Sequence, residues 1–255
     1  MGVVPAGWYD IASDAALKIR SAPSLLLAPI MPAASELIAL QDKARLEELY
    51  FRASKYLACF GIPLVAFCSA VAPYAIRLWL GPGFEQIVMP FRVLLIANYI
   101  NLMTGPGFLI SVGQGNLSPG MKSASVGLGL NIIVSLALVY EFGFSGAVMG
   151  TSFALVVASF MFILMFHKDT RTPFLGTFKR AYLKPMLGAL GALLIVPIAW
   201  LAKNGWGGVC ISGLLFLVVF VVLISLMRFF DAFDIQKGVS VLSGAGVLRR
   251  RVRSA

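Results

Sequence analysis

The chain has 255 residues, of which 59% are hydrophobic and 13% charged, with a net charge of +10. Soluble domains carry about 45–50% apolar and about 25% charged residues, so this composition excludes an ordinary soluble domain. The apolar residues form blocks of the length that a helix needs to cross about 30 Å of hydrocarbon. The sequence therefore predicts an all-α membrane protein with about seven transmembrane helices. The predicted spans are 8–39, 57–79, 87–112, 122–140, 146–167, 184–202 and 207–228.

The first predicted span, 8–39, carries charged residues within apolar sequence. Asp10, Asp14 and Lys18 are spaced by four residues, so they share one helix face. Lys18 falls near the middle of the membrane, and Arg20 lies about 200° further round the helix. Each charge at this depth costs about 2.5–3.5 kcal/mol on insertion scales, so these residues mark a candidate substrate cavity. The structural alternative is an internal ion pair between Asp14 and Lys18.

The second and third spans add further candidate features. Segment 41–56 has an apolar face among charged residues, which predicts either an amphipathic helix on the inner membrane surface or a solvated linker helix. Arg92 joins the cavity candidates, with snorkelling to the interface as the alternative. Asn101 and Asn131 lie in apolar sequence, where we expect them to hydrogen-bond between helices.

Lysine and arginine are distributed unevenly between the predicted loops. The basic segments are 41–56, 167–184 and the tail. The alternate loops carry one basic residue, Lys203. The positive-inside rule therefore places the basic segments and the C-terminus in the cytoplasm. Because the positive charge sets the topology, no nucleic-acid partner is expected.

The predicted orientation places the N-terminus outside the membrane. The first residues, MGVVPAG, lack the charged region of a signal peptide. We therefore expect that the chain lacks a front part, through a truncated gene, a fragment or a misplaced start codon.

Residue patterns typical of active sites are not found in the sequence. His167 is the only histidine, and at the inner end of the fifth span it is expected to be structural because acid–base catalysis needs a positioned partner. Cys59, Cys68 and Cys210 are far apart and match neither a disulfide framework nor a metal site. The sequence therefore predicts no enzyme, no cofactor and no metal.

Four stretches carry Gly, Pro and Leu motifs in a distinctive order and spacing. They are GWYDIASDAALKIRSAP (7–23) with PAASEL (32–37), PYAIRLWLGPGF (73–84), VGQGNLSPGMKSASVGLGLNIIVSLAL (112–138) and EFGFSGAVMGTSFA (141–154). Together they resemble the C-terminal half of lipid-linked oligosaccharide flippases, the polysaccharide-biosynthesis branch of the MATE-like multidrug/oligosaccharidyl-lipid/polysaccharide superfamily. The resemblance covers roughly residues 5–170.

The resemblance implies a division of the chain into three parts. Residues 1–170 would form about five helices of the second bundle, 171–229 an additional two-helix hairpin, and 230–255 a basic cytoplasmic tail. The first seven helices of the family would be missing. Two bundles of the family form a V around a central cavity, where basic residues hold a pyrophosphate. Lys18 best matches such a residue, and Arg20 is second.

The function implied is translocation of polyprenyl-pyrophosphate-linked oligosaccharides across the bacterial inner membrane, for polysaccharide biosynthesis and export. Expected partners are the lipid-linked oligosaccharide, membrane lipids, the missing N-terminal half and other polysaccharide-assembly proteins. A cation-coupled multidrug exporter of the same fold would use Asp10 and Asp14 and is the first alternative. A non-functional fragment is the second.

Overall fold

The computed structural model describes residues 3–231 and Asp234, with side chains from residue 6 onward. Every regular element in these residues is helical. Five stretches are long and apolar enough to cross a membrane, and they are Ala6–Ala39, Lys43–Leu80, Glu85–Gly113, Ser118–Thr170 and Gly205–Leu226. These findings confirm the predicted all-α class and fit a membrane protein.

The first long stretch is bent near its middle. Helix α1, Val3–Ser24, continues through a 3-10 turn, Leu25–Leu27, into α2, Ile30–Ala39. Pro23 lies at the end of α1 and Pro29 caps α2. Since proline lacks an N–H and its ring clashes with the preceding turn, the chain bends where the prolines occur.

Helix α3, Lys43–Leu80, is a single helix of 38 residues. Its first turn is capped by Asp42, whose side chain accepts a hydrogen bond from the backbone N–H of Arg45. Segment 41–56 is therefore largely helical, but it continues directly into the following span instead of forming a separate surface helix. Its apolar residues Leu46 and Leu49 pack into a core with α2, α5 and α6.

The chain then returns through α4, Val88–Leu102, and α5, Gly105–Gly113, which are separated by a short break at Met103 and Thr104. Helix α6, Ser118–Thr170, reverses direction at Gly143, where φ is 57° and ψ is −129°. Its two arms pack against each other, as shown by the contact of Gly150 with Ser135. This turn separates the segments predicted as the fourth and fifth spans.

The remaining elements lead into a helical hairpin at the C-terminal end of the described residues. They are α7 (Phe174–Phe178), a π-helical segment (Lys179–Leu183), α8 (Lys184–Ile195), α9 (Ile198–Ala202) and α10 (Gly205–Leu226). The predicted span 184–202 is interrupted at Pro197, which caps α9. We use "C-terminal hairpin" below for α8, α9 and α10.

Besides the core around Leu46 and Leu49, two larger apolar cores join these helices, and α3 contributes to both. The first joins α1, α3, α4 and α6 through residues such as Leu57, Leu95 and Val148. The second joins α3 to the C-terminal hairpin through residues such as Val71 and Phe216. The predicted boundary between 1–170 and 171–229 remains a prediction. Apart from residues 230, 231 and 234, the tail 230–255 lies outside the described residues.

Candidate functional site

A cavity of about 840 Å³ lies between α1, α4, α5 and the two arms of α6. Most of its wall is apolar, and large members of that wall are Leu25, Met31, Phe108, Leu128 and Phe162. Polar residues also line it, and they are Arg20, Ser24, Asn101, Thr104, Ser123, Asn131, Thr151 and Ser159. The cavity therefore combines an apolar wall with hydrogen-bonding groups.

Arg20 supplies the positive charge of this cavity. It is half-buried, and its Nη2 donates a hydrogen bond of 2.9 Å to Asn101 Oδ1. In the described part of the chain, no carboxylate lies within ion-pair distance of it, although a guanidinium has five N–H donors. The charge of Arg20 is thus uncompensated by the described residues, which leaves it able to bind an anion.

Asn101 connects Arg20 to the second arm of α6. Its Nδ2 donates to Ser159 Oγ at 3.2 Å, and the Ser159 hydroxyl donates to the Leu155 carbonyl oxygen at 2.6 Å. Ser159 is 1% exposed, so this end of the chain of hydrogen bonds is fixed in the interior. The Asn101 side chain is therefore held by α6 and positions the guanidinium of Arg20.

A second group of hydrogen bonds lies further along the same wall. Asn131 Oδ1 accepts from Ser135 Oγ at 2.7 Å and from Thr151 Oγ1 at 3.4 Å. Tyr9 donates its hydroxyl proton to Thr151 Oγ1 at 3.3 Å. These contacts tie α1 to both arms of α6 and present neutral polar groups beside the charge of Arg20.

The structure separates the candidates that the sequence grouped on α1. Asp10, Asp14 and Lys18 are exposed on α1, whereas Arg20 lines the cavity. Among the described residues Asp14 and Lys18 form no ion pair, so the internal pair that the sequence left open is not present. Whether Lys18 contacts a substrate on the exposed face of α1 stays a prediction.

Arg92 lies in a different place from the other candidates. Its Nε donates to the Ser69 carbonyl oxygen at 2.7 Å. It lines a second cavity of about 720 Å³, which is almost wholly apolar and lies between α3, α4, α6 and α8. The structure therefore does not bring Arg92 and Arg20 to a common site.

Sequence reasoning assigned Asn101 and Asn131 to helix contacts, and the structure gives them that role while also placing them in the cavity wall. Ser159 and Thr151 were not singled out from the sequence. Both are hydroxyl residues within the largely apolar sequence of α6. Such residues are common in membrane helices, so only the packing of α6 against α4 and α1 shows that they belong to a site.

His167 has the structural surroundings that its position predicts. It is 6% exposed, and its Nε2 lies 3.1 Å from the Tyr50 hydroxyl oxygen. Its Nδ1 lies 2.8 Å from Thr172 Oγ1, so the ring connects α3, α6 and the turn before α7. Both ring nitrogens are used in these contacts, which fix the end of α6.

The cavity as a whole is suited to an amphiphile with an anionic group. A guanidinium binds phosphate oxygens through parallel N–H donors, and the neighbouring amides and hydroxyls can bind further polar groups. The apolar wall can accept hydrocarbon. No family model, no curated protein and no solved structure matches the chain. The resemblance to lipid-linked oligosaccharide flippases rests on the four sequence stretches given above.

Proposed function

We propose that the chain takes part in moving polyprenyl-pyrophosphate-linked oligosaccharides across the bacterial inner membrane for polysaccharide biosynthesis and export. The observation that carries this proposal is the uncompensated charge of Arg20 in a cavity between helices long enough to span a membrane. A charged side chain within a membrane span has an unfavourable insertion free energy, so its presence there indicates a functional role.

The physical task of such a transporter explains the composition of the cavity. A pyrophosphate and its sugars cannot enter hydrocarbon without losing their hydration, so the protein must replace those interactions. Arg20 supplies charge, and in a partly desolvated cavity its attraction for an anion is stronger than in water. The Asn101, Asn131 and Thr151 groups supply hydrogen bonds, and the apolar wall accommodates part of the lipid.

The proposal includes a topology with seven spans. In it, the two arms of α6 count as two spans and α8 with α9 counts as one. The basic segments face the cytoplasm, as does the C-terminus. Alternating access needs a second bundle that moves against this one. We therefore propose that the chain works with an N-terminal bundle and with other polysaccharide-assembly proteins.

Binding of a short prenyl pyrophosphate tests the proposal directly. The purified chain in lipid nanodiscs would be titrated with farnesyl pyrophosphate and, separately, with farnesol, which lacks the charge. We expect Arg20→Ala to weaken pyrophosphate binding at least about tenfold, equal to about 1.4 kcal/mol, and to leave farnesol binding unchanged. Arg20→Lys should retain part of the affinity because it keeps the charge and loses the planar fork.

Two further variants complete this experiment. Arg77→Ala removes an exposed arginine outside the cavity and should bind like the unmodified chain. Lys18→Ala examines the opposite face of α1. If Lys18→Ala abolishes pyrophosphate binding while Arg20→Ala does not, the substrate site lies on the exposed face. If the chain binds farnesol and farnesyl pyrophosphate equally, the proposed function is wrong.

A further inference from the structure

The C-terminal hairpin is internally well connected. Its helices share an apolar core that includes Ala192, Phe216 and Phe220. Lys184 Nζ, at the start of α8, donates to the Arg228 carbonyl oxygen just after α10, at 3.2 Å. The beginning and the end of the hairpin are therefore joined, so the hairpin can move as one body.

The hairpin is attached to the rest of the protein along one helix. Its core is completed by α3 residues such as Phe67 and Val71. On its other side, the apolar cavity of about 720 Å³ separates α8 residues Met186 and Leu193 from residues of α4 and α6, such as Ile96. A body that packs on α3 and faces open space towards α4 and α6 can swing about α3.

Charged residues join the end of this hairpin to α3. Lys55, on α3, is 2% exposed, and its Nζ lies 2.9 Å from Asp231 Oδ2 and 2.6 Å from Asp234 Oδ2. Asp234 also accepts the Tyr56 hydroxyl proton at 2.5 Å, and Arg52 Nη1 lies 3.4 Å from its Oδ1. Three residues of one helical turn thus converge on Asp234, just beyond α10.

The burial of Lys55 determines how strongly its ion pairs hold the two helices together. A buried lysine that loses its carboxylate partner is left as an isolated charge, which is strongly unfavourable. The ion pairs of Lys55 therefore resist separation of α10 from this end of α3. At the opposite end of the hairpin, at Lys203, the described residues form no ion pair with α3.

We propose that Lys55, Asp231 and Asp234 form a latch, and that the C-terminal hairpin is a flap that swings about α3 when the latch opens. With the latch closed, the hairpin holds the position seen here, with the apolar cavity open between α8 and the pair α4 and α6. With the latch open, the far end of the hairpin moves and the width of this cavity changes. This inference does not depend on the proposed transport function.

The distance between the far end of the hairpin and the connection between α3 and α4 measures this movement. Spin labels would be placed on Gln86→Cys and Lys203→Cys, two exposed positions, in a full chain whose three native cysteines are replaced by alanine. The distance distribution would be measured by pulsed electron resonance in nanodiscs. We expect a narrow distribution for this labelled chain.

The decisive variant removes the two buried charges of the latch, Lys55 and Asp234, and leaves the exposed Asp231. Lys55→Met alone leaves Asp234 without its main partner and should lower the unfolding temperature. Lys55→Met with Asp234→Asn leaves no isolated buried charge, so most of that stability should return. The distance distribution of the double variant should nevertheless broaden by roughly 5 Å, about one helical turn.

Lys179→Met serves as the matched control, because it removes an exposed lysine just before the hairpin that is not part of the latch. Its distribution should stay narrow. A narrow distribution in a folded double variant would overturn the proposal, since the cluster would then be structural only. If the double variant does not fold, Asp234→Asn alone decides: a broader distribution supports the latch, and an unchanged one refutes it.

Discussion

The side chain of Arg20 is held by a hydrogen bond to a neutral side chain. The group that accepts its hydrogen bond is the amide oxygen of Asn101, at 2.9 Å, and not a carboxylate. A carboxylate at that position would neutralise the guanidinium and saturate two of its donors. The choice of an amide therefore keeps the cavity positive, which is what binding of an anion requires.

The difference between an amide and a carboxylate beside Arg20 can be tested with an almost isosteric substitution. Asn101→Asp should form an ion pair with Arg20 and lower the affinity for farnesyl pyrophosphate at least about tenfold, or about 1.4 kcal/mol. The unfolding temperature should change little, because the new ion pair offsets the loss of the hydrogen bond that Asn101 Nδ2 donates to Ser159 Oγ. Gln86→Glu, which adds the same charge at an exposed position, is the control. Unchanged affinity in Asn101→Asp would show that Arg20 does not contact the pyrophosphate.

Gly61 is a residue whose role lies in close packing. A Cβ atom at this position would overlap the ring of Tyr99, which is 5% exposed. The Tyr99 hydroxyl donates to the Leu57 carbonyl oxygen at 3.1 Å, so the ring cannot turn away without losing that bond. Gly61→Ala should destabilise the protein by about 1–3 kcal/mol, the usual cost of overpacking.

Thermal unfolding in detergent would measure this effect. Gly129→Ala is the matched control, because a Cβ atom there has no neighbour within 4 Å. It should leave the unfolding temperature unchanged or raise it, since alanine is favoured over glycine in a helix by about 1 kcal/mol. Equal unfolding temperatures for the two variants would contradict the packing of α3 against α4.

At the scale of the helical elements, the turn within α6 depends on one backbone conformation. Gly143 has φ 57° and ψ −129°, which a residue with a Cβ atom adopts only with strain. Among the described residues, no atom lies within 4 Å of a Cβ atom at this position, so the expected cost of Gly143→Ala comes from the backbone. We expect a loss of roughly 1–3 kcal/mol. An unfolding temperature equal to that of the unmodified chain would show that the turn has a different geometry.

The connection between α10 and α3 should depend on pH. Burial alone would raise the pKa of Asp234, but hydrogen bonds from Lys55, Tyr56 and the Asp231 backbone N–H outweigh it and lower the pKa below the ordinary value of 3.8. Because the folded-state pKa is the lower one, the stabilisation is complete above about pH 4 and is lost as the pH falls through the folded-state pKa.

Unfolding temperatures measured between neutral pH and pH 3 would check this expectation. The unmodified chain should lose stability at the acidic end, and Asp234→Asn should lose less because it has no proton to take up at this position. Parallel losses in the two proteins would mean that other carboxylates, and not Asp234, control the acid sensitivity.

Much of the element pattern could be predicted from the sequence, because apolar length and proline position are local properties. The bend between α1 and α2 occurs at Pro23 and Pro29, residues that can be read directly from the sequence, and Gly143 lies between the predicted fourth and fifth spans. The continuity of α3 was missed, since charged residues at 43–56 resemble a surface segment. Their apolar neighbours are buried only because α2, α5 and α6 cover them.

The candidate site could be predicted only in part, for a related reason. The sequence shows that Lys18 and Arg20 point in different directions, but not which direction faces other helices. The structure shows that Arg20 faces the other helices, where it donates a hydrogen bond to Asn101, 81 residues further along the chain. The partners of Lys55 lie 176 and 179 residues further along the chain. Contacts over such separations leave no periodic signal in the sequence.

At the scale of the whole molecule, α3 divides the protein into two regions with different contents. On one side lies the bundle with the polar cavity around Arg20, and on the other lies the hairpin. The apolar cavity lies between the hairpin and the bundle, and it shares the wall residues Thr104 and Phe162 with the polar cavity. In the proposed transporter, substrate recognition belongs to the bundle, because the described residues of the hairpin contribute nothing to the wall of the polar cavity.

Photochemical labelling would test the site of substrate binding most directly. A farnesyl pyrophosphate analogue with a diazirine in its prenyl chain would be irradiated with the chain in nanodiscs, and the labelled peptides would be identified by mass spectrometry. We expect labels on the wall of the first cavity, at Leu25, Phe108, Leu128 or Phe162, and their loss in Arg20→Ala. Labels confined to the exposed face of α1 around Lys18, or unaffected by Arg20→Ala, would contradict substrate binding at Arg20.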